Sequence, residues 1–137
     1  MKIMSVDLGL ARTGLATGDS GSTFAFPKTV INEYNEQRLI EKVCAAAKEE
    51  GAQRIVVGLP RNMDGSEGER ALKCRELANK IGECSGIEIV MWDERCTTVS
   101  AHTALSANNV RGKKRKESVD AVAAVIILED YLRFLNK

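Results

Sequence analysis

Acidic residues end two apolar runs of this chain and interrupt a third. Asp7 closes the run KIMSV and is followed two residues later by Gly9; Asp93 and Glu94 close IEIVMW; Asp120 is the one charged residue in SVDAVAAVIIL. Ligands of open α/β sheets gather at the carboxyl ends of strands. An acid placed there is poorly solvated unless it meets a cation or hydrogen-bond donors. Carboxylates brought close together repel, and without a cation some would be protonated near neutral pH. Divalent cations such as Mg²⁺ or Mn²⁺ offset that repulsion with hard oxygen ligands. Two such ions about 3.5–4 Å apart can activate a water and stabilise the leaving oxygen of a phosphodiester. The chemistry these residue types point to is metal-dependent phosphodiester cleavage, which needs no histidine; the chain has only His102.

Each acid also has a plainer explanation. Asp7 could hydrogen-bond the amides of its own turn. Asp93 or Glu94 could favour the start of a following helix, or pair with Arg95, and Asp120 could stabilise a helix dipole by about 0.3–1 kcal/mol. Strand alternation puts Asp93 and Glu94 on opposite sides. Both stay in the catalytic set with Asp7 and Asp120, and Glu94 is preferred as the metal ligand beside those two.

The cations have their own pattern. RGKKRK, residues 111–116, contributes Arg111, Lys113, Lys114, Arg115 and Lys116 just before Asp120. A flexible cationic loop there would hold a phosphate backbone without reading sequence. Arg61, in the loop GLPRNMDGSEGER after an apolar strand, could approach phosphate with the glycine amides around it. Arg12 and Arg95, near the strand-end acids, complete the candidate nucleic-acid-binding set. Net charge is only +1, so this inference rests on distribution and not on the global balance. Aromatic residues are 4%, too few to indicate a stacking platform for single strands.

The elements that would carry these residues follow from periodicity. Residues 2–7, 14–18 and about 23–31 read as closely spaced strands of an antiparallel meander. A helix over 36–50 has Leu39, Ile40, Val43 and Ala47 on one face and Gly51 as its stop. Strands follow at 54–58 and 87–92. Between them, Ser66 and Glu69 have capping-box spacing ahead of Cys74, Leu77, Ala78 and Ile81. A helix is expected from Thr97–Thr98, and a last one over about 117–134 with Val119, Val122, Ala123, Ile126 and Ile127 as its apolar face. Small residues Ala121, Ala123 and Ala124 would let that helix approach the sheet. Helices between buried strands imply parallel crossovers, so the expectation is one α/β domain over 1–137, a mixed five-stranded sheet flanked by helices, with antiparallel edge hairpins and a parallel remainder. The longest apolar run, Ala121 to Leu128, is far short of the roughly 20 residues of a membrane span. Cys44, Cys74, Cys84 and Cys96 form no CxxC pair, which fits free thiols in a reducing cytoplasm better than zinc or disulfides.

Four segments, VDLGLARTGLATGD, VVGLPRNMDGSEGERA, DERCTT and KKRKESVDAVAA, together resemble the YqgF family of bacterial RNase H-like proteins over nearly the whole chain. That family is described both as Holliday-junction resolvases and as nucleases maturing the 5′ end of pre-16S rRNA. The resemblance implies an RNase H-like fold, a cytoplasmic location, a role in ribosomal RNA processing, and an acidic site at Asp7, the Asp93–Glu94 pair and Asp120. Thr13 and Cys96 stand where apolar residues are common, and neither removes a carboxylate. Cleavage of structured RNA is the leading expectation. Resolution of branched, four-way DNA and a non-catalytic nucleic-acid-binding module are the alternatives, and a homodimer is compatible with all three. A sugar-kinase or actin-like ATPase shares the DxG strand but needs two related domains, which 137 residues do not supply.

Overall fold

Apolar residues at successive positions of the first strand pack into two different cores, and that double burial makes it the centre of the sheet. Met4, Val6 and Leu8 join one apolar layer, while Ile3 joins the other. The computed structural model describes residues 1–9, 11–62, 64–93 and 112–136, with the backbone alone for 112–121. In chain order the elements are β1 (Lys2–Leu8), β2 (Arg12–Asp19), β3 (Ala25–Asn32), α1 (Glu36–Glu50), β4 (Arg54–Leu59), α2 (Glu69–Ser85), β5 (Glu88–Asp93) and α3 (Gly112–Leu135). The sheet runs β3-β2-β1-β4-β5. The hairpin pairs β1–β2 and β2–β3 are antiparallel, and β1–β4 and β4–β5 are parallel, so the expected mixed α/β sheet is what forms.

Helices α1 and α2 cover one face. Asn35 caps α1 by accepting from the Arg38 amide at 3.0 Å. Gly51 closes it in the left-handed region at φ 69°, where a side chain would be strained. Helix α1 buries Leu39, Ile40, Val43, Cys44 and Ala47, and α2 buries Ala71, Cys74, Leu77, Ala78 and Ile81, the stripes expected from periodicity. The expected capping box does not form. The residue before α2 is Gly68, with no side-chain cap, because the Ser66 hydroxyl is spent on Asp64 at 2.6 Å inside the preceding loop.

Among the described residues helix α3 alone covers the other face, and it differs twice from expectation. It is described from Gly112, so residues 113–116 of the basic run lie within its first turns by backbone and are not a loop, while Arg111 lies outside the described residues. Its sheet-facing residues are Ala124, Ile127, Leu128, Tyr131 and Leu132, whereas Val122, Ala123 and Ile126 are half-buried. The stretch 121–128 is apolar all round, so periodicity alone could not select the packed stripe. The helix expected near Thr97–Thr98 lies outside the described residues, as do Cys96 and His102. Among the described residues no helix is long and apolar enough to cross a membrane, and Cys44, Cys74 and Cys84 are in no disulfide.

Strand β3 is tied to α1 by Lys28, whose ammonium reaches Glu50 at 2.7 Å and Glu49 at 3.3 Å. The bond to Lys28 holds the Glu50 carboxyl below its ordinary value of 4.5. Glu50→Gln should therefore lower unfolding free energy by about 0.5–1 kcal/mol at neutral pH. The deficit should persist above pH 4.5 and vanish as acid protonates the wild-type carboxylate through its lowered folded pKa. Urea unfolding of both proteins at pH 7 and pH 3 checks this; an equal deficit at both pH values would refute it.

Candidate active site

The site is built on the odd-numbered residues of β1. Ser5 is wholly buried, and its hydroxyl donates to the Ala124 carbonyl of α3 at 2.6 Å. At the far end of α3, the Asn136 amide donates to the Ser20 carbonyl at 3.0 Å, and the Ser20 amide donates to the Met1 carbonyl at 2.9 Å. The C-terminus of α3 thus sits at the start of β1, and its earlier turns stand over the carboxyl end of β1. Asp7, two residues beyond Ser5, points to the same face. It is half-buried, and among the described residues its carboxylate has no hydrogen-bond or ion-pair partner. Asp120 lies one helical turn before Ala124, so its backbone belongs to the part of α3 above that same strand end.

Glycines clear the space around Asp7. Gly14 is directly opposite it on β2. On β4, Gly58 follows Val57, the partner of Val6. Neither neighbouring strand therefore projects a side chain beside the carboxylate, a placement that commonly marks close approach of a ligand or backbone. The sequence contained this signal, but only the register shows that both glycines flank Asp7. Gly9 has a different necessity: a Cβ there would fall 2.1 Å from the Arg12 carbonyl oxygen, inside any tolerable contact. The same tight return places Arg12, half-buried, at the first position of β2 beside the carboxyl end of β1. Arg70, which sequence reasoning missed, donates to the Leu8 carbonyl at 2.6 Å and secures the end of β1 from α2.

The remaining candidates separate. Asp93 ends β5 opposite Leu59 and shares the side of Ile89 and Met91, which pack on the α1–α2 layer. Asp7 is on the α3 side, so Asp93 is on the other face. Glu94, Arg95 and Arg111 lie outside the described residues; for Lys113, Lys114, Arg115 and Lys116 the backbone places them on the first turns of α3. Among the described residues no group of three or more possible metal ligands occurs, two of the three preferred carboxyl groups being outside that description. A cavity of about 540 Å³ opens between α1 and α2, lined by Leu8, Tyr34, Leu39, Arg70, Lys73 and Leu77. It lies behind the sheet from Asp7 and takes no part in the acidic site.

Arg61 follows β4 through a tight turn at Pro60, in which its amide donates to the Leu59 carbonyl at 3.1 Å. Its guanidinium meets Glu67 at 3.5 Å. Glu67 is also gripped by Arg75, Nε to Oε1 at 2.6 Å and a terminal nitrogen to Oε2 at 2.9 Å. That grip holds the Glu67 carboxyl below its ordinary range. The sequence reading took Arg61 alone; Glu67 and Arg75 gave no signal, because nothing local links residue 61 to helix α2.

A central strand ending in aspartate, antiparallel to a hairpin on one side, parallel to β4 on the other and crossed by the last helix, is an RNase H-like fold. Two solved structures share the architecture and, at their low identity, establish the fold alone. They are Thermus thermophilus RuvC in complex with a Holliday junction substrate (TM-score 0.61, 14% identity, covering 98% of this chain and 96% of that one) and the Fowlpox virus resolvase with Holliday junction DNA (TM-score 0.64, 11% identity, both chains covered fully). The chain belongs to the RuvX family, whose model, described as "Holliday junction resolvase", matches residues 1–134. Relatives from Bacillus cytotoxicus (39% identical) and Bacillus thuringiensis (37%), each over 96% of this chain and 98% of the relative, carry the name "Putative pre-16S rRNA nuclease". The protein is accordingly a nucleic-acid-binding hydrolase of the endonuclease type, as the motifs implied.

Because Gly9 has no room for a side chain, Gly9→Ala should force the β1–β2 turn apart. The expected cost is about 1–3 kcal/mol in urea unfolding, with nuclease activity lost more steeply than stability. Wild-type stability and activity in that variant would refute the steric account.

Proposed function

We propose that this protein is a metal-dependent endonuclease that matures the 5′ end of pre-16S rRNA, with Asp7, Glu94 and Asp120 holding Mg²⁺ or Mn²⁺. The observation that carries the reading is Asp7 itself, a half-buried carboxylate without a described partner, between two strand glycines and under the α3 turn that bears Asp120. An all-carboxylate donor set suits a hard divalent ion. Glu94 is preferred over Asp93 because Asp93 belongs to the opposite face of β5. When bound, such ions lower the pKa of a bound water and stabilise charge on the leaving oxygen. The chain's own part is to hold and orient: Arg12, Arg61, Arg95, Arg111, Lys113, Lys114, Arg115 and Lys116 grip backbone phosphates around the acids. Precursor rRNA is the favoured substrate because the curated relatives bear that name at 37–39% identity.

A second reading, resolution of four-way DNA, is favoured by the description of the matching family and by the junction complexes of the two structural neighbours. A homodimer would present two such sites to one junction. Both readings place the protein in the cytoplasm.

Purified protein assayed on a 5′-extended 16S precursor and on a four-way DNA junction, with Mg²⁺, Mn²⁺ or EDTA, tests both. Cleavage of the RNA at its 5′ extension, abolished by EDTA, is expected; cleavage of the junction alone would install the second reading. Losing the ion site removes several kcal/mol of transition-state stabilisation, so Asp7→Asn and Asp120→Asn should each cut the rate by more than about 100-fold while the melting temperature holds. Full activity in both variants would sink the assignment.

A further inference from the structure

Arg61 holds a donor that no described residue accepts from. Its Nε is buried and has no hydrogen-bond partner among the described residues. The guanidinium meets Glu67 at 3.5 Å, through the same Oε2 that accepts from Arg75 at 2.9 Å. The Arg61 side chain as a whole is 33% exposed, so part of this cation is accessible at the carboxyl end of the β4 strand, where a guanidinium donor can meet an incoming phosphate oxygen. The Arg75–Glu67 pair is two-pronged, so the carboxylate is a fixed post and not a swinging one. It sits just ahead of α2 at Gly68, on the rim of the sheet where β1 ends in Asp7.

We propose that Glu67 and Arg75 are positioning residues that hold the partly exposed Arg61 guanidinium to receive a backbone phosphate of the nucleic-acid substrate. This rests on the reading of the acidic edge as the nuclease site. Arg61 contacts the substrate; Glu67 and Arg75 act through it. A lysine at residue 61 would keep the charge but lose the planar donor edge that Glu67 orients.

The test measures cleavage kinetics of the 5′-extended 16S precursor with Mg²⁺, and binding of the same RNA in EDTA over a range of salt. Arg61→Gln should lower the slope of log affinity against log salt by about 0.7–0.9, the loss of one phosphate contact. Arg61→Lys should keep the slope but raise KM by about 3–10-fold, leaving kcat within about twofold. Glu67→Gln should reproduce the Arg61→Lys change in KM and add nothing to it in the double variant. Arg75→Lys, which keeps the charge but breaks the two-pronged grip, should act the same way and serves if Glu67→Gln fails to fold. Unchanged KM in Glu67→Gln and Arg75→Lys, tighter binding in Glu67→Gln, or multiplicative losses in the double variant would overturn the positioning role. Cleavage that survives EDTA and Asp7→Asn would overturn the underlying site reading, whatever the Arg61 series shows.

Discussion

A single buried hydroxyl fixes how the two sides of this molecule meet. Ser5 has no access to water, so its Oγ must find an acceptor within the protein or leave a desolvated group unpaired. The acceptor it finds is the Ala124 carbonyl at 2.6 Å, and that bond sets both the height and the distance of α3 over β1. Close approach is possible because the facing positions are small: Ala16 and Gly18 on β2, Ala124 on the helix. A Cβ at Gly18 would lie 3.1 Å from a Leu132 methyl and 3.3 Å from one of Leu128, closer than nearly all real contacts. Polar ties then stop the helix from sliding. Arg54 at the start of β4 donates to the Tyr131 hydroxyl at 2.8 Å, and Asn136 is bound to the β2–β3 turn. With α3 fixed at those points, the turn bearing Asp120 has one place to be.

The opposite face has polar ties only toward its margins, Arg70 to the Leu8 carbonyl at 2.6 Å and Lys28 to Glu50 at 2.7 Å, and between them it is held by apolar packing. Val43, Ala47, Ile55, Val57 and Ile81 are fully buried there. Burial of this kind is worth about 1.5–3 kcal/mol per large side chain. Charged pairs on that side, such as Lys73 with Glu36, are nearly half exposed and add little. The same apolar layer buries the Cys44 thiol, whose pKa is pushed up to about 12 by that burial and by its neighbour Cys84. Stability is thus concentrated away from the carboxyl edge of the sheet. That edge can then carry Asp7, an acid without a partner among the described residues, and an arginine whose Nε no described residue accepts from, features that would be costly in a domain relying on them for its fold.

The strands and the two middle helices were legible because each carries a clean period. The nearly continuous burial of KIMSVDL, a short strand covered on both faces, and the stripe of Leu39, Ile40, Val43 and Ala47 leave little choice. Asp7 and Asp120 were legible for the opposite reason: a charge among apolar residues breaks the period and asks for an explanation. Where the sequence misled, a residue had two competing uses. Ser66 had the spacing of a cap but bonds Asp64 in the loop instead, and the run Ala121 to Leu128 is apolar on every side, so its buried stripe is decided by Ser5 and Arg54 from across the fold. Glu67 and Arg75 were invisible for a related reason, since their meaning depends on Arg61, six and fourteen positions away and joined to them only in three dimensions.

Alternation along one strand explains why acids and core share so little chain. On β1, Met4, Val6 and Leu8 serve the α1–α2 layer while Ile3, Ser5 and Asp7 serve the α3 face, so three consecutive pairs each contribute to both. A slip of one residue would bury Asp7 in the apolar layer and turn Leu8 toward the acidic edge. The pairing of Ile3 with both Gly18 and Arg54 forbids that slip from two sides. The same rule, propagated through Val57 and Met91, puts Asp93 behind the sheet, on the side of the α1–α2 layer. The register that makes the core is therefore also the device that selects which carboxylates can meet.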